Sequence, residues 1–240
     1  MAVSGKPIKP TVAISKRDAA ATRARILKVA VAEFAAKGYS GARIEALATR
    51  AKVNVRMIYH YFGGKEALYV EVLESTLSQL RAEELKLDFS ALAPLDGLMR
   101  FFDFVDRHFT THPELMKLLS SENLNKARFM QKSALIPVMS TPVLELLHNL
   151  LQRGAADGSV APGIDPLHLY VTLVSLAYFH KSNAHTLSRI FETDLLAPSW
   201  QVDHNQQSRA MLLQFLAATV RPVARDPTSE PKRRVVEVPA

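Results

Sequence analysis

The stretch RIEALATRAKVNVRMIYHYFGGKEAL, residues 43–68, decides the fold. Ile44, Leu47, Ala48 and Ala51 fall at 0, +3, +4 and +7, the spacing that lines one face of a helix. Asn54 is a good N-cap residue, and Ile58, Tyr61 and Phe62 repeat the 0, +3, +4 spacing after it. Two short helices joined by a tight turn are expected, then a stop at Gly63-Gly64 and a third helix opening at Lys65. With Ile58, Tyr61 and Phe62 turned inward, Val55, Arg56, Met57, Tyr59 and His60 face outward. A short helix presenting such a face after a three- or four-residue turn suits the major groove of DNA, which makes the segment a helix-turn-helix reader.

Upstream, Leu27, Ala30, Val31 and Phe34 mark the inner face of a helix over 18–37 that stops at Gly38. Arg23 and Arg25 stand near its start, where they have phosphate within reach. Residues 1–17 combine Pro7, Pro10 and several cations without apolar periodicity, so a disordered basic arm is expected. Two readings of that arm stand, a minor-groove contact or a passive tail. It contains no continuous apolar run of the kind a leader or membrane anchor needs.

The segment 26–72 resembles the DNA-binding domain of the TetR family of bacterial transcriptional regulators. The likeness rests on Phe34-x-x-x-Gly38-Tyr39, Leu47-Ala48-x-x-Ala51-x-Val53 and Tyr59-x-Tyr61-Phe62-x-x-Lys65-Glu66-x-Leu68 at their mutual spacings. Two positions depart from the family pattern. Ala42 and Arg43 stand where a Thr or Ser pair usually opens the second helix, and Lys52 stands where the turn usually has Gly. Ala42 cannot cap through its side chain, whereas Arg43 replaces a hydroxyl contact with a charged one. Lys52 must then hold a left-handed backbone, or the turn must differ. On DNA, Arg43, Tyr59 and Lys65 are the expected phosphate contacts, and Asn54, Val55, Arg56, Met57 and His60 complete the reading surface. Arg56 is suited to a guanine edge or a phosphate, Val55 and Met57 to thymine methyls.

The charge is unevenly placed. Residues 1–65 carry 13 Lys plus Arg against 3 acids, and the remaining residues carry 17 against 20, which together give the chain's net +7. A basic first quarter on a slightly acidic body fits a polyanion-binding head on a separate body. There is no cysteine, which excludes disulfides and thiolate metal sites and fits a reducing cytoplasm.

The 240 residues suffice for a small head joined to a larger core. The expected architecture is all-α: a three-helix helix-turn-helix domain over 18–64, a larger helical effector-binding and dimerisation domain over 65–221, and a disordered tail over 222–240. A long helix from 65 to about 87 carries Tyr69, Val72, Leu73, Leu77 and Leu80 as its stripe. Pro94 marks the next boundary, before a helix rich in Phe, and His112-Pro113 opens another. Helices follow over 122–132 and 134–153, the second bent or broken by Pro137 and Pro142, then a loop holding Gly154, Gly158, Pro162 and Gly163. The last helices are expected over 165–187 and 204–220. The stretches LHLYVTLVSLAYF (167–179) and MLLQFLAATV (211–220) are apolar almost all round and need cover on both sides. A second subunit supplies it most naturally, and the resemblance implies a homodimer joined through these two helices.

The resemblance also implies a ligand cavity in the body, with no transferable ligand motif. Phe102, Met130, Tyr178, Phe179, His180 and Asn183, with Trp200 beside them, are the candidate lining. The segment 165–190 resembles regulators of pyrimidine and nicotinate catabolism, which implies a small planar or aromatic catabolite as effector.

Enzyme signatures are missing, and no catalytic residue or cofactor is expected. Gly63-Gly64-Lys65 lacks the upstream glycine and following hydroxyl of a phosphate-binding loop, and no nucleophile elbow occurs. His108 and His112 have the four-residue spacing of helical zinc ligands, but no Glu follows His108 and Pro113 disturbs the helix, so no metal site is expected. The expectation is a cytoplasmic, nucleoid-associated homodimeric repressor, released from a palindromic operator by a small molecule. A constitutive or architectural DNA-binding protein without effector, or an activator, is the alternative.

Overall fold

A computed structural model describes residues 16–217. The expected arm and tail lie outside the described residues, except that Lys16 and Arg17 already belong to the first helix. Among the described residues the chain forms eleven α-helices, a short 3-10 turn at Met130–Lys132, and one isolated antiparallel bridge between Val160 and Ala217. No helix among them is long and apolar enough to cross a membrane.

The head comprises α1 (Lys16–Gly41), α2 (Ile44–Arg50) and α3 (Val55–Phe62). The helical course of α1 is broken at Gly38, whose φ is 65°, in line with the expected stop. Ile26, Ala30, Phe34, Leu47, Ala48 and Ile58 are buried together as the core of the head. From it α4 (Lys65–Glu84) runs into the body along the predicted stripe of Tyr69, Val72, Leu73, Leu77 and Leu80.

The body is built round α5 (Pro94–Thr111), which packs against α6 (Pro113–Leu124), α8 (Thr141–Asp157), α9 (Pro166–Ser182) and α11 (Pro198–Leu216). Phe101, Phe102, Phe104, Val105 and Phe109 are all buried on α5, as a central helix requires. Each such side chain contributes about 1.5–3 kcal/mol relative to exposure. Both α5 and α6 begin with proline in the first turn, where the missing N–H leaves no hydrogen bond unmade.

Three expectations are corrected and one is met. Residues 122–132 do not form a helix: α6 ends at Leu124, and the buried Glu122 carboxylate accepts from the backbone N–H groups of Phe129 and Met130 at 3.1 Å. Lys126 and Ala127 turn the chain there with positive φ. The segment 134–153 is broken as expected, at Ser140, into α7 (Leu135–Met139) and α8, with Pro142 in the first turn of α8. Gly154 is inside α8 rather than in a loop, and a Cβ there would lie 2.4 Å from Cγ2 of Val160. Finally, the segment 165–187 divides at Asn183 into α9 and α10 (Ala184–Phe191), and α11 begins at Pro198, well before 204.

Candidate nucleic-acid interface

The turn between α2 and α3 is fixed by backbone chemistry that the sequence spells out. At the end of α2, the Val53 N–H donates to the Ala48 carbonyl at 3.0 Å and the Lys52 N–H to the Thr49 carbonyl at 3.1 Å. This pair of bonds is a Schellman closure, with Lys52 at the position that glycine usually holds. Lys52 adopts φ 52°, so of the two possibilities the left-handed backbone is the one realised. Asn54 then caps α3: its Oδ1 accepts from the Arg56 N–H at 2.6 Å. At the other end Gly63, at φ 78°, closes the helix with its N–H on the Tyr59 carbonyl.

Between these caps α3 is sharply two-sided. Ile58 and Phe62 are buried where α3 packs against α2 and α4, while Arg56, Tyr59 and His60 are exposed and Val55 and Met57 half-buried at the rim. Tyr61, expected inward, is also half-buried. Arg43 is exposed at the N-cap of α2 and makes no capping hydrogen bond, which leaves its side chain outside the helix's own bonding. The Lys65 ammonium lies 4.7 Å over the Tyr39 ring, a cation–π contact that holds it at the start of α4. Lys52 is exposed in the turn, two residues before Asn54.

Arg23 and Arg25 each make a contact within the protein. The guanidinium of Arg23 pairs with Glu71 at 2.6 Å and covers the Phe62 ring at 4.8 Å. Arg25 donates to the carbonyl of Ala51. Arg50, at the end of α2, meets the buried Glu33, which also pairs with Lys37.

The effector candidates do not converge. Phe102 is fully buried, and Met130 sits in the 3-10 turn. The Tyr178 hydroxyl bonds Ser120 at 2.8 Å, and its ring meets Phe109 edge-on. Asn183 caps α9, its side-chain amide donating to the Phe179 carbonyl. Phe179, His180 and Trp200 come together in a recess of about 440 Å³, shared with His204, Leu187 and Phe191. Successive residues of α9 point in different directions, 100° apart on the helix, which scattered the set. His204 stacks on Trp200 at 4.9 Å and lies 4.2 Å from His180.

Sequence reasoning also missed a buried polar group on α4. Arg81 pairs with Glu84 at 2.5 Å and with the Tyr170 hydroxyl at 2.6 Å. Arg81 Nε and Glu84 Oε1 have no protein partner. Burial pushes the Glu84 carboxyl up to about 7, against the opposing pull of Arg81. The available signal was two charges standing where the stripe of α4 continues past Leu77 and Leu80.

A capped reading helix with an exposed polar face, set on a basic head above an all-helical body, defines a helix-turn-helix DNA-binding regulator. Residues 26–72 match the family described as bacterial regulatory proteins, tetR family, and residues 94–212 match the tetracyclin repressor-like C-terminal domain. The chain is 34% identical to the HTH-type transcriptional repressor NicS of Pseudomonas putida, over 85% of this chain and 92% of that protein. It is 29% identical to the HTH-type transcriptional regulator RutR of Escherichia coli over 64% of this chain and 70% of that protein. The solved structure of the ketosteroid transcriptional regulator KstR2 of Mycobacterium tuberculosis shares the fold, with a TM-score of 0.58 at 21% identity, over 81% of this chain and 94% of that one. The chain belongs to the TetR family of bacterial transcriptional regulators and is a DNA-binding regulator of transcription.

Proposed function

We propose that this regulator is a repressor which binds a palindromic operator as a homodimer and leaves it when a small molecule enters the body. The observation that carries the reading is the disposition of α3, capped at both ends and exposed on the face of Arg56, Tyr59 and His60. In this reading Arg43, Lys52, Tyr59 and Lys65 contact phosphates and fix the register, and Asn54 and Val55 bring the helix start to the groove. Arg56, Met57 and His60 face base edges. The relatives named as repressors support the sign of regulation.

Dimerisation falls to α9 and α11. Leu167, Val171 and Phe179 on the first, and Val202, Met211 and Phe215 on the second, are about half or more exposed, an apolar surface large for a monomer. Two heads on a two-fold axis then meet successive major grooves about 34 Å apart. A ligand that favours a different head spacing releases the DNA.

Two places suit an effector with a planar apolar body and a polar edge: the Trp200 recess and the Arg81–Glu84–Tyr170 group. The second lies on α4, the helix that joins head to body, and its unpaired buried atoms favour it. The protein acts in the cytoplasm on nucleoid DNA, as a regulator rather than an enzyme.

Selection of bound fragments from a random duplex library tests this. An enriched palindrome, with log affinity falling against log salt at about −0.9 per neutralised phosphate, is the expected result. Salt-sensitive binding without any enriched sequence would overturn the specific-operator reading. A thermal-shift screen of small aromatic acids and heterocycles on the same protein then tests effector binding, which must raise the melting temperature.

A further inference from the structure

Below the head, α4 meets the corner between α5 and α6 at a cluster of polar side chains that neither DNA reading nor the recess uses. Glu83 places Oε2 3.1 Å from Nδ1 of His108. The His108 ring, buried, stacks on that of His112 with centres 4.2 Å apart and planes 17° from parallel. Gln79, one turn before Glu83, sets its amide nitrogen 3.2 Å from Nε2 of His112 and 3.1 Å from Oε1 of Glu83. One ligand atom from each of Glu83, His108 and His112 lies within 4.8 Å of the other two.

Donors about 2.0–2.2 Å from a tetrahedral ion stand about 3.4 Å apart, so the ligand atoms, within 4.8 Å of one another, meet one centre once the two stacked rings rotate out of their parallel packing. Two imidazoles and one carboxylate form the donor set of zinc and its transition-metal neighbours, since magnesium and calcium take oxygen shells. Nδ1 of His112 lies 3.3 Å from the His108 carbonyl and 3.0 Å from Thr111 Oγ1. With the proton on that nitrogen, donated to the carbonyl, the ring is oriented and Nε2 keeps its lone pair, the outer-shell arrangement metal-bound histidines use.

We propose that Glu83, His108 and His112 bind a single divalent transition metal of the zinc class, which ties α4 to the α5–α6 corner. The four-residue spacing of His108 and His112 carried no metal expectation in the sequence, because no Glu follows His108 and Pro113 disturbs the helix. In the structure the third ligand comes from a different helix, 25 residues earlier than His108.

The test uses the full, tag-free chain stripped with a chelator and titrated with cobalt(II). One equivalent per chain, seen as visible ligand-field absorption that zinc displaces, is expected. His112→Ala and Glu83→Gln should each weaken binding about 100-fold or more. Zinc should raise the melting temperature of the unsubstituted protein and leave that of the variants unchanged. Circular dichroism without metal checks that the variants fold, and the half-exposed Glu83 keeps the test open if His112→Ala does not. No saturable absorption near one equivalent, or equal binding by the unsubstituted protein and both variants, overturns the proposal. Neither readout involves DNA, so its failure is distinct from a failure to find an operator.

Discussion

Arg25 of α1 donates from Nε to the carbonyl oxygen of Ala51, 2.9 Å away, so the first helix is bonded to the end of α2 where the chain turns toward the reading helix. The last carbonyls of a helix have no partner within it, and a guanidinium supplies a charge-assisted one. Arg25→Ala should lower stability by about 1–2 kcal/mol in urea denaturation, with m unchanged. A loss of operator affinity without any loss of stability would instead place Arg25 on the DNA.

Asn54 holds the start of α3, a helix of only eight residues. Asn54→Ala should cost about 1 kcal/mol, and Asn54→Ser should recover most of it, because a hydroxyl can accept the same Arg56 N–H. Equal losses from both substitutions would show that the amide is needed on the DNA rather than in the cap.

Arg56 is exposed in the second position of α3. Arg56→Ala should weaken operator binding by about 1–3 kcal/mol and relax preference at one base pair. Uniform weakening across sequences, with the salt slope reduced by about one, would assign Arg56 to a phosphate instead. Combined with Tyr59→Ala it should abolish specific binding while sedimentation shows an unchanged assembly.

The Asn54 and Arg56 predictions concern a part of the molecule that was legible in the sequence, and the reason is distance along the chain. The stripe of Ile44, Leu47, Ala48 and Ala51 and the Asn54 cap are set by neighbours within a few residues, while the left-handed Lys52 is one of two turns the sequence left open. Arg23 and Arg25 were illegible because their partners, Glu71 and Ala51, lie 48 and 26 residues away. Glu122 was misread for the same kind of reason. In a helical pattern it is one more polar residue, but it is buried and gathers the N–H groups of a turn that starts only after it. In the body, the direction in which each residue of α9 points depends on what α5, α6 and α11 leave open, and no periodicity encodes that.

His180 gives the body a signature in acid. Burial, aided by the nearby Lys181 and His204, lowers its pKa to about 4 against the pull of Gln201 and Asp106. The unfolded chain takes up this proton near 6.5 and the folded one does not, so the contribution of His180 is complete above that pH and is lost as pH falls toward 4. The loss should reach up to about 3 kcal/mol, and His180→Gln should flatten the profile of melting temperature over this window. A profile identical to that of the unsubstituted protein would exclude His180 as its source.

Val171 and Met211, both more than half exposed, lie on the apolar faces of α9 and α11. Val171→Glu with Met211→Glu should dissociate the dimer in sedimentation velocity and depress operator affinity, while a monomeric helix content is retained. A dimer that survives both charges would move the interface elsewhere.

The rings of Tyr39 and Phe129 lie 4.2 Å apart, and Tyr69 meets both of them as well as Phe34. Ser121 of α6 stands where it would touch a Cβ on Gly38, at 3.6 Å. Recombination between relatives that cuts at Gly63-Gly64 would therefore not graft a new reading specificity cleanly onto this body. The incoming head would bring its own Tyr39 counterpart to a foreign Phe129, and a working hybrid must inherit the segment around residues 121–130 along with the head.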